Sequence, residues 1–597
     1  MPSVSFTVDA MGRQKVAQTF LSATGEIISC TTNIYSGLDL IAEIQNGVRI
    51  DRQVDSFGRP QGLSIGQGYA VEYGFDEYGR FGSVTSTANS VVNNWQYSYL
   101  PGSHLMASVD HPTYSARKTY EPNRDLITTV SNKFGSTTIS AFGYVNDGLG
   151  RRTARTDTTP TLTVNNAFGY NLKSEVTSAM MANGNSKYNY DPIGNRVFSS
   201  LNALTNTYSA NALNQYTVIT NSVSSVPLCE IKPSYDLDGN MLTNDVWSYS
   251  WDAENRLTAA YSNNTLLVSN TYDHQSRRIA KITTEGTRTF IWDGWNLISE
   301  KLLTANVSLS TFYTWGLDLS GTLQGAGGVG GLLAVHRDNT SFFPCFDANG
   351  NVTEYVDATG VIRAHYSFDA FGNTISQSGD IEVKFSHRFS TTYYDPETAF
   401  YYYGCRYYAS EFGRWVSRDP VEEMYSWSVY NFLDNEATDL IDERGLEKSN
   451  PGNRVEPHIT PRPPTPPPIT KGLPPLSPLL PTTPATTVSQ GLAGITGVLI
   501  DIAVMVTARP VAVMKGINMC WSQRPYATPP PSSTPTISAK PCKCCVISIR
   551  KEGTEGLPMY VLKSAIVVDK YCEDLENGGG HGTISATGSE NVYLNWR

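Results

Sequence analysis

Charge is scarce in this chain. Only 17% of its 597 residues are Asp, Glu, Lys or Arg, and their balance is acidic, with a net charge of −10. That argues against a dedicated nucleic-acid binder, because phosphate neutralisation needs clustered Lys and Arg. Cysteine is sparse before residue 500, where Cys30, Cys229, Cys345 and Cys405 stand far apart. Such spacing points to reduced, mostly buried thiols rather than a disulfide framework. The opening MPSVSFTVDAMGRQ lacks the basic start and apolar run of a signal peptide. No nuclease, deaminase or transferase motif is recognisable.

What is abundant is Gly, Tyr, Asn, Ser and Thr, a mix that reads as an all-β protein rich in turns. The length is too great for one ordinary core, so several structural units are expected.

One short signature recurs, Asp-x-x-Gly followed by Arg or Asn. It begins at Asp9, Asp55, Asp76, Asp147, Asp191, Asp236, Asp347 and Asp369. Degenerate copies without the glycine start at Asp252 and Asp273. Aromatic residues precede several copies, among them Phe75, Tyr190, Tyr235, Trp251, Tyr272, Phe346 and Phe368. The gaps between successive Asp residues are 46, 21, 71, 44, 45, 16, 21, 74 and 22. Most lie near multiples of a unit of roughly 20–23 residues, the range of fixed-period repeat architectures.

The physical reading is a strand, a tight turn and a returning strand. Asp accepts hydrogen bonds from turn amides and Gly supplies the positive φ. Alternating flanks such as Trp247 to Tyr261 supply the strands. A calcium-binding β-roll would need dense glycine-aspartate nonapeptides, which are absent. These Asp residues are therefore structural, and successive hairpins add to one long ribbon.

The stretch YYDPETAFYYYGCRYYASEFGRWVSRDP, Tyr393 to Pro420, together with these repeats, resembles bacterial RHS/YD-repeat proteins. The resemblance covers residues 1–446. It implies a mainly β fold, a YD-repeat hairpin ribbon that spirals into a shell around a variable C-terminal passenger. The expected organisation is a YD-repeat shell over 1–375 and an RHS repeat-associated core over 376–446. Beyond it come a Pro-rich linker (447–487), an apolar segment (488–521), a second Pro-rich linker (522–541) and a small Cys-containing domain (542–597). The copy at Asp9 begins almost at the initiator, so an upstream shell polypeptide is expected and residues 1–446 alone need not close.

In that family this region resembles an aspartyl autoprotease, in which two Asp-Pro-x-Gly motifs bring their carboxylates together. Carried over residue by residue, the first Asp is Asp419 and the second Asp442, 23 positions on. The supporting Arg is Arg406, 13 residues before Asp419. The expected cut lies between Leu446 and Glu447. Adjacent carboxylates cannot both ionise cheaply, so one keeps a proton and acts as an acid while the other activates water. Arg406 orients a carboxylate or offsets developing negative charge.

Two departures stand out. The first motif reads DPVE, with Glu422 in the glycine position, and the second reads DERG, with Glu443 in the proline position. An extra carboxylate there either raises the dyad's pKa or hinders the turn. The alternative reading is that Asp419 and Asp442 merely cap turns.

Composition changes abruptly after Leu446. Of 33 prolines, 21 fall in the last 151 residues. Pro461 to Pro484 reads as a polyproline II spacer, and Pro525 to Pro541 as a second. Between them Val488 to Ala508 is long enough to span a bilayer but contains Asp501, so a buried helix or shell-lining segment is favoured. In the tail, Val546–Arg550 and Met559–Val568 read as strands. No cofactor is implied by the shell, and zinc is one option for Cys542, Cys544, Cys545, Cys572 and His581. His581 beside Cys572 is a weaker catalytic candidate.

Three functions fit. The first is a polymorphic-toxin-like protein that encloses, cleaves and retains its own C-terminal segment as cargo. The resemblance then implies a neighbouring immunity protein and a secreted or cell-envelope location. The second is an adhesin whose Tyr-rich ribbon binds carbohydrate or a cell surface. The third is a decayed fragment of a larger protein.

Overall fold

The computed structural model describes residues 2–449, apart from breaks at 22–23, 183, 224–225, 380–383, 425 and 427. Further on it describes the strands Ser548–Arg550, His581–Ser585 and Asn591–Asn595. The chain divides into two units, Met1–Pro457 and His458–Arg597.

The first unit is almost entirely antiparallel strand. From Pro2–Val8 to Val226–Ile231, 21 strands follow one another as a meander, each paired with its sequence neighbours. A second meander of 14 strands runs from Ser234–Tyr235 to Thr374–Gly379. Among the described residues Pro2–Val8 pairs only with Gln14–Leu21, and Val226–Ile231 only with Tyr216–Val223. The first sheet thus has two open edges and forms an open shell, not a closed barrel.

The repeated signature makes the turns of one edge. At Asp9, Oδ1 accepts the backbone N–H of Met11 (2.8 Å) and of Arg13 (3.0 Å), and Oδ2 accepts Arg13 Nε (2.8 Å). Gly12 takes a φ of 78°, a region glycine enters without steric cost. Asp55, Asp76 and Asp147 repeat the pattern. The degenerate copies fold the same way, with Asn255 (φ 59°) and Ser276 (φ 65°) standing where glycine stood.

Several of these turns are also tied to the next on the same edge. Nη1 of Arg13 donates to Gly37 O (2.7 Å), Arg80 to Ser103 O (2.9 Å), Arg151 to Asn171 O (3.2 Å) and Arg277 to Gly294 O (3.1 Å). There the basic residue of the signature closes its own turn and laces it to its neighbour.

Two further turns follow this plan with different residues. Asn171 Oδ1 accepts the N–H groups of Lys173 and Glu175, and its Nδ2 donates to Glu175 Oε2 (2.6 Å). Asn211 does the same with Leu213 and Gln215. They divide the long gaps after Asp147 and Asp191 into units of repeat length.

The two meanders join through buried polar contacts as well as apolar ones. Tyr69 donates to Tyr313 O (2.6 Å), Gln45 Nε2 to Trp292 O (2.7 Å), and Asn132 Nδ2 to Phe346 O (2.9 Å). First-sheet strands such as Val91–Tyr99 alternate buried and exposed, whereas every residue of Val352–Asp357 is buried. A strand covered on both faces loses the period-two pattern.

Cys30, Cys229, Cys345 and Cys405 form no disulfide among the described residues, and Cys229 and Cys345 are buried. In the second unit Asn591–Asn595 pairs with both Ser548–Arg550 and His581–Ser585. A strand thus occupies the end of the expected Val546–Arg550. His581 opens a strand, opposite Asn595. Cys542, Cys544, Cys545, Cys572, the two Pro-rich spacers, Val488–Ala508 and Met559–Val568 lie outside the described residues. Among the described residues no helix is long and apolar enough to cross a membrane.

Candidate self-processing site

The Tyr-rich block forms a small four-stranded sheet from Tyr393–Asp395, Phe400–Tyr402, Tyr407–Ala409 and Arg414–Trp415. Its rings face inward. Tyr408 stacks on Phe432 at 3.9 Å, and Trp415 meets Tyr403 and Phe432 edge-on. Asp395 anchors the block to the second meander through Arg278 Nη1 (2.6 Å) and Lys281 Nζ (2.7 Å).

Arg406 lies in the turn between the second and third of these strands, where Tyr403 N–H donates to Arg406 O (3.0 Å). Its guanidinium stacks on Trp415, 4.1 Å from the ring centre. Nη2 contacts Asp419 Oδ2 at 2.8 Å and Asp442 Oδ2 at 3.7 Å. The three sequence-predicted site residues are thus gathered on one guanidinium nitrogen. Arg406 is 3% exposed, Asp419 9% and Asp442 4%.

Asp419 is fixed by its own backbone, whose N–H donates to Val429 O (3.0 Å), while Oδ1 accepts Val421 N–H (3.1 Å). Asp442 sits on a short hairpin, Ile441–Glu443 with Glu447–Ser449. Its Oδ1 accepts the N–H of Leu446 (3.0 Å), and Arg406 Nε donates to the carbonyl of Gly445. The peptide just before the expected cut is therefore held from both sides. Gly445 has a φ of 77°, and a Cβ there would stand 3.1 Å from Arg406 Cβ.

Burial governs the electrostatics. It raises Asp442 to about 7, with Asp419 adding to the rise and Arg406 opposing it. Asp419 is also raised, by burial first, against the pull of Arg406. Of the two, Asp442 is the more deeply buried, and Asp419 has the closer cation.

The two departures have different outcomes. Glu422 adopts a φ of 56°, the left-handed conformation open to glycine, and its side chain is exposed. Glu443 is half-buried and raised to about 7, by burial first and then by Glu447, its partner across the hairpin. The turn forms with a glutamate in each position.

The sequence reading missed a third support. The glycine-rich segment around Gly327 lies against the hairpin, where a Cβ on Gly327 would come within 3.3 Å of Arg444 N. Ala326 and Val329 form a cluster with Ile441, the residue before Asp442. The signal was present in the run Gly325 to Gly331, a density of glycine that suits positive φ and close backbone approach.

The repeat-turn Asp residues remain in their turns. Among the described residues no group of three or more His, Cys, Asp or Glu side chains is placed to hold a metal. Cys405 is half-buried beside Arg406, and burial pushes its thiol up to about 11.

Comparison with known proteins agrees with this architecture. Residues 123–437 match the family model described as Teneurin YD-shell. The chain is 30% identical over 243 residues to the tRNA nuclease WapA of Bacillus subtilis, covering 39% of this chain and 10% of that protein. It is 29% identical over 241 residues to the tRNA3(Ser)-specific nuclease WapA of Bacillus spizizenii, with the same coverage. The chain spans about a tenth of the length of these relatives. Among solved structures, the TcdB2-TccC3-Cdc42 crystal structure superposes with a TM-score of 0.57 at 14% identity. That match covers 74% of this chain and 26% of the other, and shows the fold.

Proposed function

The chain belongs to the teneurin YD-shell family of RHS/YD-repeat proteins, and from that premise we propose that it is a self-processing container. Residues 1–446 form the shell, whose last segment severs Leu446–Glu447 and leaves residues 447–597 as an enclosed effector for delivery against other cells. The observation that carries this reading is the buried Asp419–Arg406–Asp442 group beside Gly445 and Leu446.

In the proposed mechanism Asp419, ionised against Arg406, takes a proton from water as the oxygen attacks the Leu446 carbonyl. Arg406 offsets the negative charge that develops on the tetrahedral intermediate. The protonated carboxyl of Asp442 supplies the proton the Glu447 nitrogen needs as the C–N bond breaks. The products are a Leu446 carboxylate and a Glu447 amine. Site and substrate share one chain, so local concentration is high and each molecule reacts once.

The largest buried aromatic side chains count against an adhesive reading, although Phe57 and Tyr78 stand exposed. Trp95, Tyr69, Tyr216, Tyr355, Tyr401 and Trp415 are fully buried, committed to packing and not offered for sugar stacking.

Containment is tested by size exclusion and limited proteolysis of the cleaved protein. The two pieces should elute together, with residues 447–597 protected. Separate elution of an intact shell and a protease-sensitive passenger would overturn the container.

A further inference from the structure

The hairpin that carries Asp442 continues past the proposed cut, and its far arm is gripped by a residue outside the dyad. Glu447–Ser449 pairs with Ile441–Glu443, with Lys448 opposite Asp442. Lys448 Nζ forms an ion pair with Asp434 Oδ2. Lys448 is two residues beyond Leu446, on the side that leaves with the passenger.

Asp434 is presented by an unusual piece of backbone. Leu433, Asp434 and Asn435 have φ values of 52°, 50° and 65°, three consecutive non-glycine residues in the left-handed region. L-residues disfavour this conformation, which persists only where the surroundings impose it. Here they do. Phe432 and Leu433 are buried, and Asn435 Nδ2 donates to Glu175 Oε1 (3.1 Å) and Gly194 O (2.9 Å) on the first sheet. The outer oxygen of Asp434 is fixed by Ser426 Oγ (2.6 Å).

Stability alone does not explain such a device. The Asp434 and Lys448 side chains are 38% and 35% exposed, and ion pairs of that exposure contribute little to folding. What the contact does is complete a clamp. Leu446 N–H is held by Asp442 on one side of the Leu446–Glu447 bond, and Lys448 is held by Asp434 on the other.

We propose that Asp434 is a positioning residue for self-cleavage, holding a cationic side chain two places past the cut so that the Leu446–Glu447 bond is fixed at the dyad. The inference rests on the self-processing reading. It extends that reading to sequence preference, Lys or Arg at position 448, and to docking of the severed end on the shell.

The test follows cleavage of the full chain over time by intact mass in the parent and three variants. Asp434→Ala should slow cleavage by about tenfold, since misplacement of a reacting bond by an ångström costs up to about 100-fold. Its thermal unfolding and the pH profile of its cleavage should match the parent. Lys448→Met, which leaves the left-handed turn untouched, should slow it to a similar degree. The exchange Asp434→Lys with Lys448→Asp should recover most of the rate. Cleavage of Lys448→Met and Asp434→Ala at the parent's rate would overturn the positioning role while leaving self-cleavage intact. A slow Asp434→Ala with no recovery in the exchange would also overturn it. A folded parent that never cuts would remove the self-processing reading and this inference together.

Discussion

The guanidinium of Arg406 donates through Nε to the carbonyl of Gly445, 39 residues further along the chain. The same group contacts both carboxylates, so one side chain registers the dyad against the backbone beside the cut. The flat, forked geometry of guanidinium suits that arrangement, and the single ammonium of lysine does not.

Arg406→Ala therefore removes more than a charge. It leaves two buried carboxylates without their cation, a loss of about 3–5 kcal/mol where one partner of a buried pair is deleted. Thermal unfolding should show a lowered midpoint, and cleavage should be abolished. Arg406→Lys should fold better than Arg406→Ala yet remain slow to cut.

The pH dependence of cleavage follows from the two raised carboxyls. Asp442 must carry its proton, so the rate should fall as pH rises through about 7. Asp419 must be ionised, so the rate should also fall at low pH, at a midpoint above the ordinary 3.8. The stability contribution has a related sign. A raised acid favours the folded state most at pH below its ordinary value, and that contribution is lost as pH rises toward about 7. The protection of residues 441–449 against hydrogen exchange, measured relative to the intrinsic rate at each pH, should accordingly fall as pH rises from the ordinary 3.8 to about 7 and level off above it.

Gly445→Ala tests the geometry without touching a charge. A φ of 77° with a new Cβ 3.1 Å from Arg406 Cβ forces the turn or the arginine to shift. A backbone cost of roughly 1–2 kcal/mol is expected for the left-handed conformation. If it falls on the reactive geometry, cleavage slows by about tenfold, measured as the fraction cut against time.

The turns should differ in worth although both pair an Asp with an Arg four residues on. Asp273 and Arg277 are almost fully buried, whereas Asp9 and Arg13 are partly exposed. Asp273→Ala removes the closer of two carboxylates on the buried Arg277, leaving Glu43 at 3.4 Å, and should cost about 1–3 kcal/mol. Asp9→Ala should leave the thermal midpoint close to the parent's.

The sequence announced the turns wherever Asp paired with Arg or Asn, because a carboxylate and a donor four residues later make a complete local motif. It hid the turns at Asn171 and Asn211, where the amide donates and Glu175 or Gln215 accepts. The same bonds form with donor and acceptor exchanged, so a search for Asp passes over them. Asp419, Asp442 and Arg406 were legible through family resemblance. Their support was not, since Trp415, the Val429 carbonyl and Gly327 reach the site only through long-range packing. At Glu422 the backbone takes the conformation open to glycine while the side chain stays exposed, an outcome its residue type alone does not announce.

The central claim is tested most directly by the intact mass of the purified chain beside an Asp419→Asn, Asp442→Asn double variant. The account predicts two pieces in the parent, ending at Leu446 and beginning at Glu447, and a single uncut chain in the variant. A parent that folds and stays whole, or a variant that is cut at the same bond, would contradict it.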